Sequence, residues 1–402
     1  MTANITTQVN RPYLPESGGG ISCEIDVDPG DLDQVSRRHI ALCVDASGSM
    51  DNRGKVQQVR DATNLVFGLL NDDDYLSIVT FDTDVEVVME ATRWGDVDRD
   101  DAEKRVERVI ARGGTDVYAG LTEAKRTLEG IEAGPGVAKR VLLLSDGRDT
   151  SRTATDFGPL AAEVAEEGIS IYSAGIGTHY DKDVIRTLGE SSQGRWVHVD
   201  SPGDIRSFFG DVVEEASTVV ANNPRLLIEP TEQVEIAEVY RRLPQVQAVD
   251  PTYEDDVVVV GLPDLVENEA QTITLKMDAP GGEVGSSRAL ASVTLDAGGP
   301  LANAEVTIEY SDDPDELARQ NDDVFIAHRD TVIRSEIARA DDREALADVE
   351  DLIEETEVIA GGDTEVTADL KDTVTRIEQG SEEEVREVQE KTTVIHEDDR
   401  FE

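Results

Sequence analysis

The sequence of 402 residues has few cysteines, few basic side chains and no long apolar run. Its two cysteines, Cys23 and Cys43, are too few for a disulfide scaffold or a cysteine-rich metal site. No stretch approaches eighteen consecutive apolar residues, so the sequence predicts no transmembrane helix. The first residues, MTANITTQVN, have neither the apolar core nor the basic leader of a signal peptide. We therefore expect a cytoplasmic protein.

Basic residues are greatly outnumbered by acidic ones. Lys and Arg total 37 against 87 Asp and Glu, which gives a formal net charge of −50. Without a Lys/Arg stripe to neutralise phosphates, nucleic acid is excluded as a partner and an anionic membrane is disfavoured. Apolar periodic segments persist between the acidic blocks, which argues against a disordered acidic chain. In molar salt the Debye length is only about 3 Å, so the repulsion between the many carboxylates is screened. The acidic surface and the aromatic content of 4% are therefore typical of halophilic proteins.

Three short motifs contain the most informative side chains. LCVDASGSM places Asp45, Ser47 and Ser49 after an apolar run, RGGTD contains Thr115, and VLLLSDG ends with Asp146 before its glycine. Two carboxylates and three hydroxyls are ligands suited to Mg²⁺, which prefers six oxygens and retains some waters. Mn²⁺ suits the same oxygen shell. The alternative for Ser49 is an N-cap of the following helix, but the coincidence of three motifs favours a metal site.

These residues indicate a family. The stretch from about His39 to Thr218 resembles a von Willebrand factor A (VWA) domain, and the five residues match that family's metal-ion-dependent adhesion site (MIDAS) at every position. The resemblance is to the intracellular prokaryotic type of this family, and it implies a Rossmann-like, doubly wound α/β fold. It also implies a Mg²⁺-dependent protein-binding module, in which an Asp or Glu of a partner protein completes the metal shell.

The hydrophobic pattern independently predicts an α/β domain, because strand-like and helix-like segments alternate between His39 and Thr218. The predicted sheet is mostly parallel, with 85–90 as an antiparallel edge strand. Asp45 and Asp146 each end a parallel strand, where open α/β sheets bind ligands. The other predicted strands are 39–45, 75–81, 140–146, 169–177 and 195–200. The predicted helices are 55–70, 98–112, 117–130, 155–167, 181–191 and 203–217.

Composition shifts divide the chain into four predicted regions. The VWA domain covers residues 38–219, and short β-rich segments with turn signals predict a β-sandwich at 220–311. We expect the N-terminal strand or strands within 1–37 to join that sandwich. Helical spacing of apolar residues predicts an acidic helical region at 312–402. We interpret this region as a structural cap, with a docking arm for a partner as the alternative.

The sequence predicts a binding protein and not an enzyme. It contains no Gly-x-Ser-x-Gly elbow, Walker-type phosphate loop or dinucleotide fingerprint. A metal-dependent hydrolase would need a general base beside the metal, and none is identifiable. The alternative function is a non-catalytic adaptor subunit of an AAA-type ATPase machine, such as a chelatase-like or chaperone-like assembly factor.

Overall fold

The computed structural model describes most of the chain, and the described residues form two compact units. The α/β unit contains the described residues between 33 and 223 together with Pro263–Glu267, and the remainder forms the second unit. The described residues are 3–30, 37–50, 55–131, 137–146, 148–149, 152–177, 180–199, 201–249, 251–340 and 343–395.

The described chain opens with three strands, β1 (Asn4–Val9), β2 (Tyr13–Leu14) and β3 (Gly19–Asp28). β1 and β3 pair antiparallel. Along β3 the fully buried Cys23, Ile25 and Val27 alternate with less buried residues, which is the period of a strand with one face on a core.

A six-stranded sheet forms the centre of the α/β unit, with the strand order β6-β5-β4-β7-β8-β9. All neighbouring strands are parallel except β6, which pairs antiparallel with β5 as predicted. The central strands are buried along almost their whole length, because helices cover both faces. The strands are β4 (Arg37–Asp45), β5 (Tyr75–Phe81), β6 (Val85–Arg93), β7 (Val137–Ser145), β8 (Ile169–Ile176) and β9 (Arg195–Val199).

In the described part of this unit six helices pack around the sheet, and two apolar cores lie between helices and strands. One core includes Val66 and Phe209, and the other includes Leu121 and Leu160. The predicted α/β fold is therefore confirmed. The helices are α1 (Lys55–Leu69), α2 (Arg99–Glu107), α3 (Val117–Glu129), α4 (Ala154–Glu166), α5 (Lys182–Ser191) and α6 (Pro202–Glu215), and a 3-10 turn covers Trp94–Asp96.

The predicted helix at 98–112 is wrong at its C-terminal end, because α2 stops at Glu107. The backbone N–H of Arg112 donates to the carbonyl of Ala46 at 2.7 Å, so the chain has left the helix to approach the end of β4. Gly113 follows in a left-handed conformation with φ of 73°. A Cβ at this position would lie 2.7 Å from the hydroxyl of Thr83, which excludes other side chains. The remaining predicted ends within this unit differ from the observed ones by at most three residues.

Within the described residues, ten strands follow α6, and eight of them join two antiparallel sheets of the second unit together with β1, β2 and β3. The sheet orders are β1-β3-β17-β12-β13 and β14-β15-β11-β18-β19-β2, the β19–β2 pair being parallel. β3 pairs with β17 from Val27 opposite Gln271 to Gly19 opposite Ala279. The strands are β10 (Val219–Ala221), β11 (Arg225–Pro230), β12 (Glu235–Leu243), β13 (Gln247–Ala248), β14 (Thr252–Glu254), β15 (Val257–Gly261), β16 (Leu265–Val266), β17 (Gln271–Ala279), β18 (Ser287–Asp296) and β19 (Pro300–Tyr310).

The division into units differs from the predicted boundaries at Arg37 and at residues 220–223 and 263–267, which belong to the α/β unit. The physical reason is local pairing: β10 forms an antiparallel pair with β16. In addition, the N–H of Asn223 donates to the carboxylate of Asp264 at 3.1 Å.

Five helices follow β19 in the described chain, and they belong to the same unit as the antiparallel sheets. Apolar residues at helical spacing, including Ile333, Ile353, Leu370 and Val374, pack together into a common core. No helix among the described residues is long and apolar enough to span a membrane. The helices are α7 (Pro314–Leu317), α8 (Asp322–Arg339), α9 (Arg343–Ala360), α10 (Glu365–Gln379) and α11 (Glu382–Thr393).

Candidate metal site

Two buried aspartates lie at the carboxyl end of the central strands. β4 and β7 are parallel neighbours with Val44 opposite Leu144. Asp45 is the last residue of β4, and Asp146 follows the last residue of β7. This register places both carboxylates at the same edge of the sheet, and each residue is 1% exposed.

Two serine hydroxyls are linked to Asp146 by hydrogen bonds. The hydroxyl oxygens of Ser47 and Ser49 lie 2.9 Å apart. Ser49 donates to Oδ1 of Asp146 at 2.6 Å. The turn that contains both serines is fixed by the backbone N–H of Ser47, which donates to Oδ1 of Asp45 at 2.8 Å. The motif Asp-x-Ser-x-Ser thus forms a compact set of oxygens next to the end of β7.

A further serine, Ser145, belongs to this site and was missed by the sequence reasoning. Its hydroxyl donates to Oδ2 of Asp45 at 2.6 Å. Burial raises the pKa of Asp45 above its ordinary value, although the hydrogen bonds from Ser145 and Ser47 oppose the shift. The signal that could have identified Ser145 is its place directly before Asp146, since the register puts it opposite Asp45. Among the described contacts, no basic side chain pairs with Asp45.

Thr115 lies on the loop between α2 and α3, which the backbone ties to the same edge of the sheet. The N–H of Gly48 donates to the carbonyl of Gly113 at 3.2 Å, and the N–H of Asp116 donates to the carbonyl of Asp82 at 2.9 Å. Thr115 itself is buried. The next residue, Asp116, caps α3 by accepting from the N–H of Ala119. All five predicted residues therefore belong to three loops at one end of the sheet. Hydrogen bonds join Asp45, Ser47, Ser49 and Asp146 in sequence.

Lys55 is the second functional candidate that the sequence reasoning missed. Its ammonium pairs with Oδ2 of Asp146, and its side chain is 17% exposed. Lys55 lies at the N-terminal end of α1, ten residues after Asp45 in the chain. The sequence signal would have been a lysine at the start of the helix that follows the serine turn.

A groove of about 460 Å³ opens beside the aspartate and serine turn. Ala46 forms part of its wall, together with Asp82, Glu86, Arg108 and Arg112. The guanidinium of Arg112 forms ion pairs with two acidic residues of this wall, Asp82 at 2.9 Å and Glu86 at 3.6 Å.

At the rim of this groove, Ile110 exposes 58% of its surface to solvent. The groove thus offers both charged groups and an apolar side chain next to the strand ends.

The chemistry of these oxygens fits a hard divalent cation. In an octahedral Mg²⁺ shell, neighbouring ligands lie about 2.9 Å apart for bonds of about 2.05 Å. The separation of the Ser47 and Ser49 hydroxyls is 2.9 Å. Two carboxylates would balance the charge of a divalent ion, and the hydroxyls would add no further charge. Within the described residues, no group of three or more His, Cys, Asp or Glu side chains is placed to hold a metal ion.

Comparison with known proteins identifies the domain that contains this site. Residues 39–211 match the sequence profile of the von Willebrand factor type A domain. An uncharacterised protein of Synechocystis is 26% identical over 272 residues, which are 65% of this chain and 62% of that protein. The mouse inter-alpha-trypsin inhibitor heavy chain H2 is 26% identical over 198 residues, covering 46% of this chain and 20% of the heavy chain. The chain therefore spans less than two thirds of these curated relatives.

Two solved structures share the fold over almost the whole chain. A von Willebrand factor type A protein from Catenulispora acidiphila superposes with a TM-score of 0.80 at 18% identity, covering 98% of both chains. The ArnB paralog VWA2 from Sulfolobus acidocaldarius gives a TM-score of 0.67 at 17% identity, covering 98% of this chain and 97% of its own. At these identities the likeness shows the fold alone. The sequence match places a von Willebrand factor type A domain within the α/β unit, at residues 39–211.

Proposed function

We propose that the von Willebrand factor type A domain of this protein binds Mg²⁺ and presents it to an acidic residue of a partner protein. Asp45, Ser47, Ser49, Thr115 and Asp146 would hold the ion, with Mn²⁺ as the alternative metal. The observation that carries the proposal is the convergence of two buried aspartates, Asp45 and Asp146, with the Ser47 and Ser49 hydroxyls at one edge of the sheet. The two hydroxyls are hydrogen-bonded at 2.9 Å, a separation that also suits adjacent ligands in an octahedral shell of about 2.05 Å bonds.

The burial of Asp45 supports the same proposal. A buried carboxylate is costly unless a cation or several hydrogen bonds compensate for its lost hydration. Asp45 accepts hydrogen bonds from the hydroxyl of Ser145 and the N–H of Ser47. A divalent ion would supply the missing positive charge. Since Mg²⁺ takes six oxygen ligands, a carboxylate from another molecule would have a position in its shell.

The groove beside Ala46 supports a protein as the source of that carboxylate. A peptide that offers an Asp or Glu to the metal would extend across neighbouring surface, and the groove is about 460 Å³ in volume. Its exposed Ile110 would contact an apolar residue of the peptide. We propose a binding role and not a catalytic one, because this arrangement assigns the free metal position to a carboxylate and not to a reacting water.

Titration of metal into the purified protein tests the first part of the proposal. Mg²⁺ and Mn²⁺ binding would be measured calorimetrically for the wild type and for the double variant Ser47→Ala/Ser49→Ala. We expect the double variant to lose roughly 100-fold or more in affinity, since two direct ligands disappear. Thr122→Ala is the matched control, because its exposed hydroxyl on α3 bonds only the helix carbonyl of Tyr118 among the described contacts. Equal affinities in all three proteins would contradict the proposal.

Affinity capture in the presence of Mg²⁺ tests the second part. Partners that depend on the metal should disappear both with EDTA and with the double serine variant. Replacing the acidic residues of a captured partner by Asn or Gln should abolish its binding, because the neutral amide is a poorer metal ligand. An AAA-type ATPase among the partners would assign the adaptor role. Partners that persist under every condition would contradict metal-mediated recognition.

A further inference from the structure

Lys55 makes an ion pair inside the candidate metal site. Its ammonium contacts Oδ2 of Asp146, while Oδ1 of the same carboxylate accepts the hydroxyl of Ser49 at 2.6 Å. Asp146 is 1% exposed, so this contact is largely shielded from water. Both oxygens of Asp146 are thereby engaged, one by a cation and one by a candidate metal ligand.

The partner of the Lys55 ammonium lies on another segment of the chain. Lys55 is the first described residue of α1, and its ammonium pairs with Asp146, which follows β7.

The charges of the site can be added directly. Asp45 and Asp146 contribute two negative charges, and the three hydroxyl ligands contribute none. With Lys55 the metal-free site has a net charge of −1, and a divalent ion brings it to +1. Without Lys55 these values would be −2 and 0. The lysine therefore weakens the attraction for the metal and leaves the loaded site cationic.

We propose that Lys55 sets the charge of the loaded site, so that Mg²⁺ is held less tightly but a carboxylate is bound more tightly. This inference rests on the proposed function and names the residue that tunes it. At distances of a few ångströms in a shielded site, one charge changes an ionic affinity by about tenfold or more. The contact is short-ranged, so concentrated salt weakens it less than it weakens surface charges.

A purely structural ion pair would behave differently. If Lys55 only held the loop of Asp146 in place, removing it would loosen the ligand set. Affinities for the metal and for a carboxylate would then fall together. The charge-setting role predicts that the two affinities move in opposite directions, and this opposition is the distinguishing readout.

The test compares Lys55→Met with the wild type, using Mn²⁺ as the metal and acetate as the carboxylate probe. Free Mn²⁺ would be followed by electron paramagnetic resonance at fixed KCl concentration. Acetate would then be titrated into the Mn²⁺-loaded protein and followed by water-proton relaxation, which changes when a carboxylate replaces metal-bound water. We expect Lys55→Met to bind Mn²⁺ about tenfold more tightly and acetate about tenfold more weakly.

Two further variants serve as controls. Lys55→Arg conserves the charge and should keep both affinities within about twofold of the wild type. Lys55→Gln is neutral and polar, and it should reproduce the behaviour of Lys55→Met even if methionine disturbs folding. If the neutral variants left both affinities unchanged, or lowered both, the inference would be overturned and the proposed function would stay intact. A wild type that binds no Mn²⁺ would overturn the proposed function, and the inference with it.

Discussion

Buried carboxylates have different partners at the two ends of the α/β sheet. At the carboxyl end, Asp45 accepts from the hydroxyl of Ser145 and from a backbone N–H. At the amino end, arginines surround the carboxylates. Arg38, near the start of β4, donates through Nε to Asp74 at 3.0 Å and through its terminal nitrogens to the carbonyls of Val213 and Leu69.

The same contrast is present along β7. Near its amino end, the fully buried Arg140 pairs with Glu215 of α6 at 3.0 Å and with Asp264 at 3.5 Å. The guanidinium also lies 4.5 Å from the ring centroid of Tyr172. Although burial alone would raise it, the pKa of Glu215 lies below its ordinary value because Arg140 and Arg195 favour the ionised form.

The comparison separates charges that stabilise the fold from charges kept for binding. At the amino end each named carboxylate has a guanidinium partner that also donates to a backbone carbonyl. At the carboxyl end, hydroxyls replace arginines around Asp45. Burial raises the pKa of Asp45 and also that of Asp264 at the amino end, so the difference lies in the partners and not in the direction of the pKa shift. The contrast predicts that equivalent substitutions lower stability at the amino end but not at the carboxyl end.

The largest effect is expected for Arg140→Met, which leaves Glu215 and Asp264 without their buried partner. Removing one member of a buried ion pair costs about 3–5 kcal/mol, because the remaining charge stays desolvated. The measurement is urea unfolding at fixed KCl concentration, followed by tryptophan fluorescence. Both tryptophans, Trp94 and Trp196, lie in the α/β unit, so the signal reports on that unit alone.

Arg195→Met is the matched control for this prediction. Its guanidinium also contacts Glu215, at 3.0 Å, but its side chain is 30% exposed. More exposed pairs contribute about 1 kcal/mol or less. Equal losses for the two variants would show that burial does not distinguish these ion pairs.

A smaller, pH-dependent effect is expected from His39 near the amino end of β4. Both ring nitrogens are buried without a hydrogen-bond partner among the described residues. Burial, with the nearby Lys139 and Arg37, lowers the pKa of His39 from 6.5 to about 4, against the opposing charge of Asp74. The unfolded chain therefore binds more protons between these values, and stability falls as the pH drops from about 6.5 to about 4.

His39→Leu should remove this part of the acid sensitivity. Relative to the wild type, the variant should gain about 1–2 kcal/mol on acidification from pH 7.5 to 4.5, after allowance for solvent screening. The measurement is the difference between the two unfolding free energies at each pH. A constant difference across this range would show that His39 does not titrate on unfolding.

The sequence predicted the parts of the fold that depend on local pattern. Apolar runs gave the strands of the sheet, and the motifs gave Asp45, Ser47, Ser49, Thr115 and Asp146 at one end of it. Parallel neighbours place their carboxyl ends together, so no tertiary information was needed to bring Asp45 and Asp146 to the same edge.

What the sequence did not predict depends on contacts between distant segments. The acidic helix pattern continued past Glu107, but the chain leaves the helix because Arg112 bonds to Ala46. Lys55 and Ser145 have no local motif, and their roles arise only when separate loops meet Asp146 and Asp45. The segment of Asp264 lies in a β-rich stretch, yet its pairing with Arg140 places it in the α/β unit.

Asp45→Asn is expected to have the smallest effect on stability. This variant also distinguishes the two ends of the sheet most directly. The amide keeps an acceptor for the N–H of Ser47 and offers a donor toward the hydroxyl of Ser145, so few hydrogen bonds are lost. It also removes a buried charge whose ionised form is disfavoured by burial. We therefore expect the metal-free variant to be unchanged or about 1 kcal/mol more stable.

Asp74→Asn makes the same chemical change at the amino end, where it breaks the pair with Arg38. It should lose about 3 kcal/mol, the low end for breaking a buried ion pair, because Arg38 keeps the carbonyls of Val213 and Leu69 as acceptors. Mg²⁺ should raise the unfolding free energy of Asp74→Asn, as in the wild type, but not that of Asp45→Asn, because a ligand stabilises only the state that binds it. If Asp45→Asn lost as much stability as Asp74→Asn in metal-free buffer, Asp45 would be a structural carboxylate and the contrast between the two ends would fail.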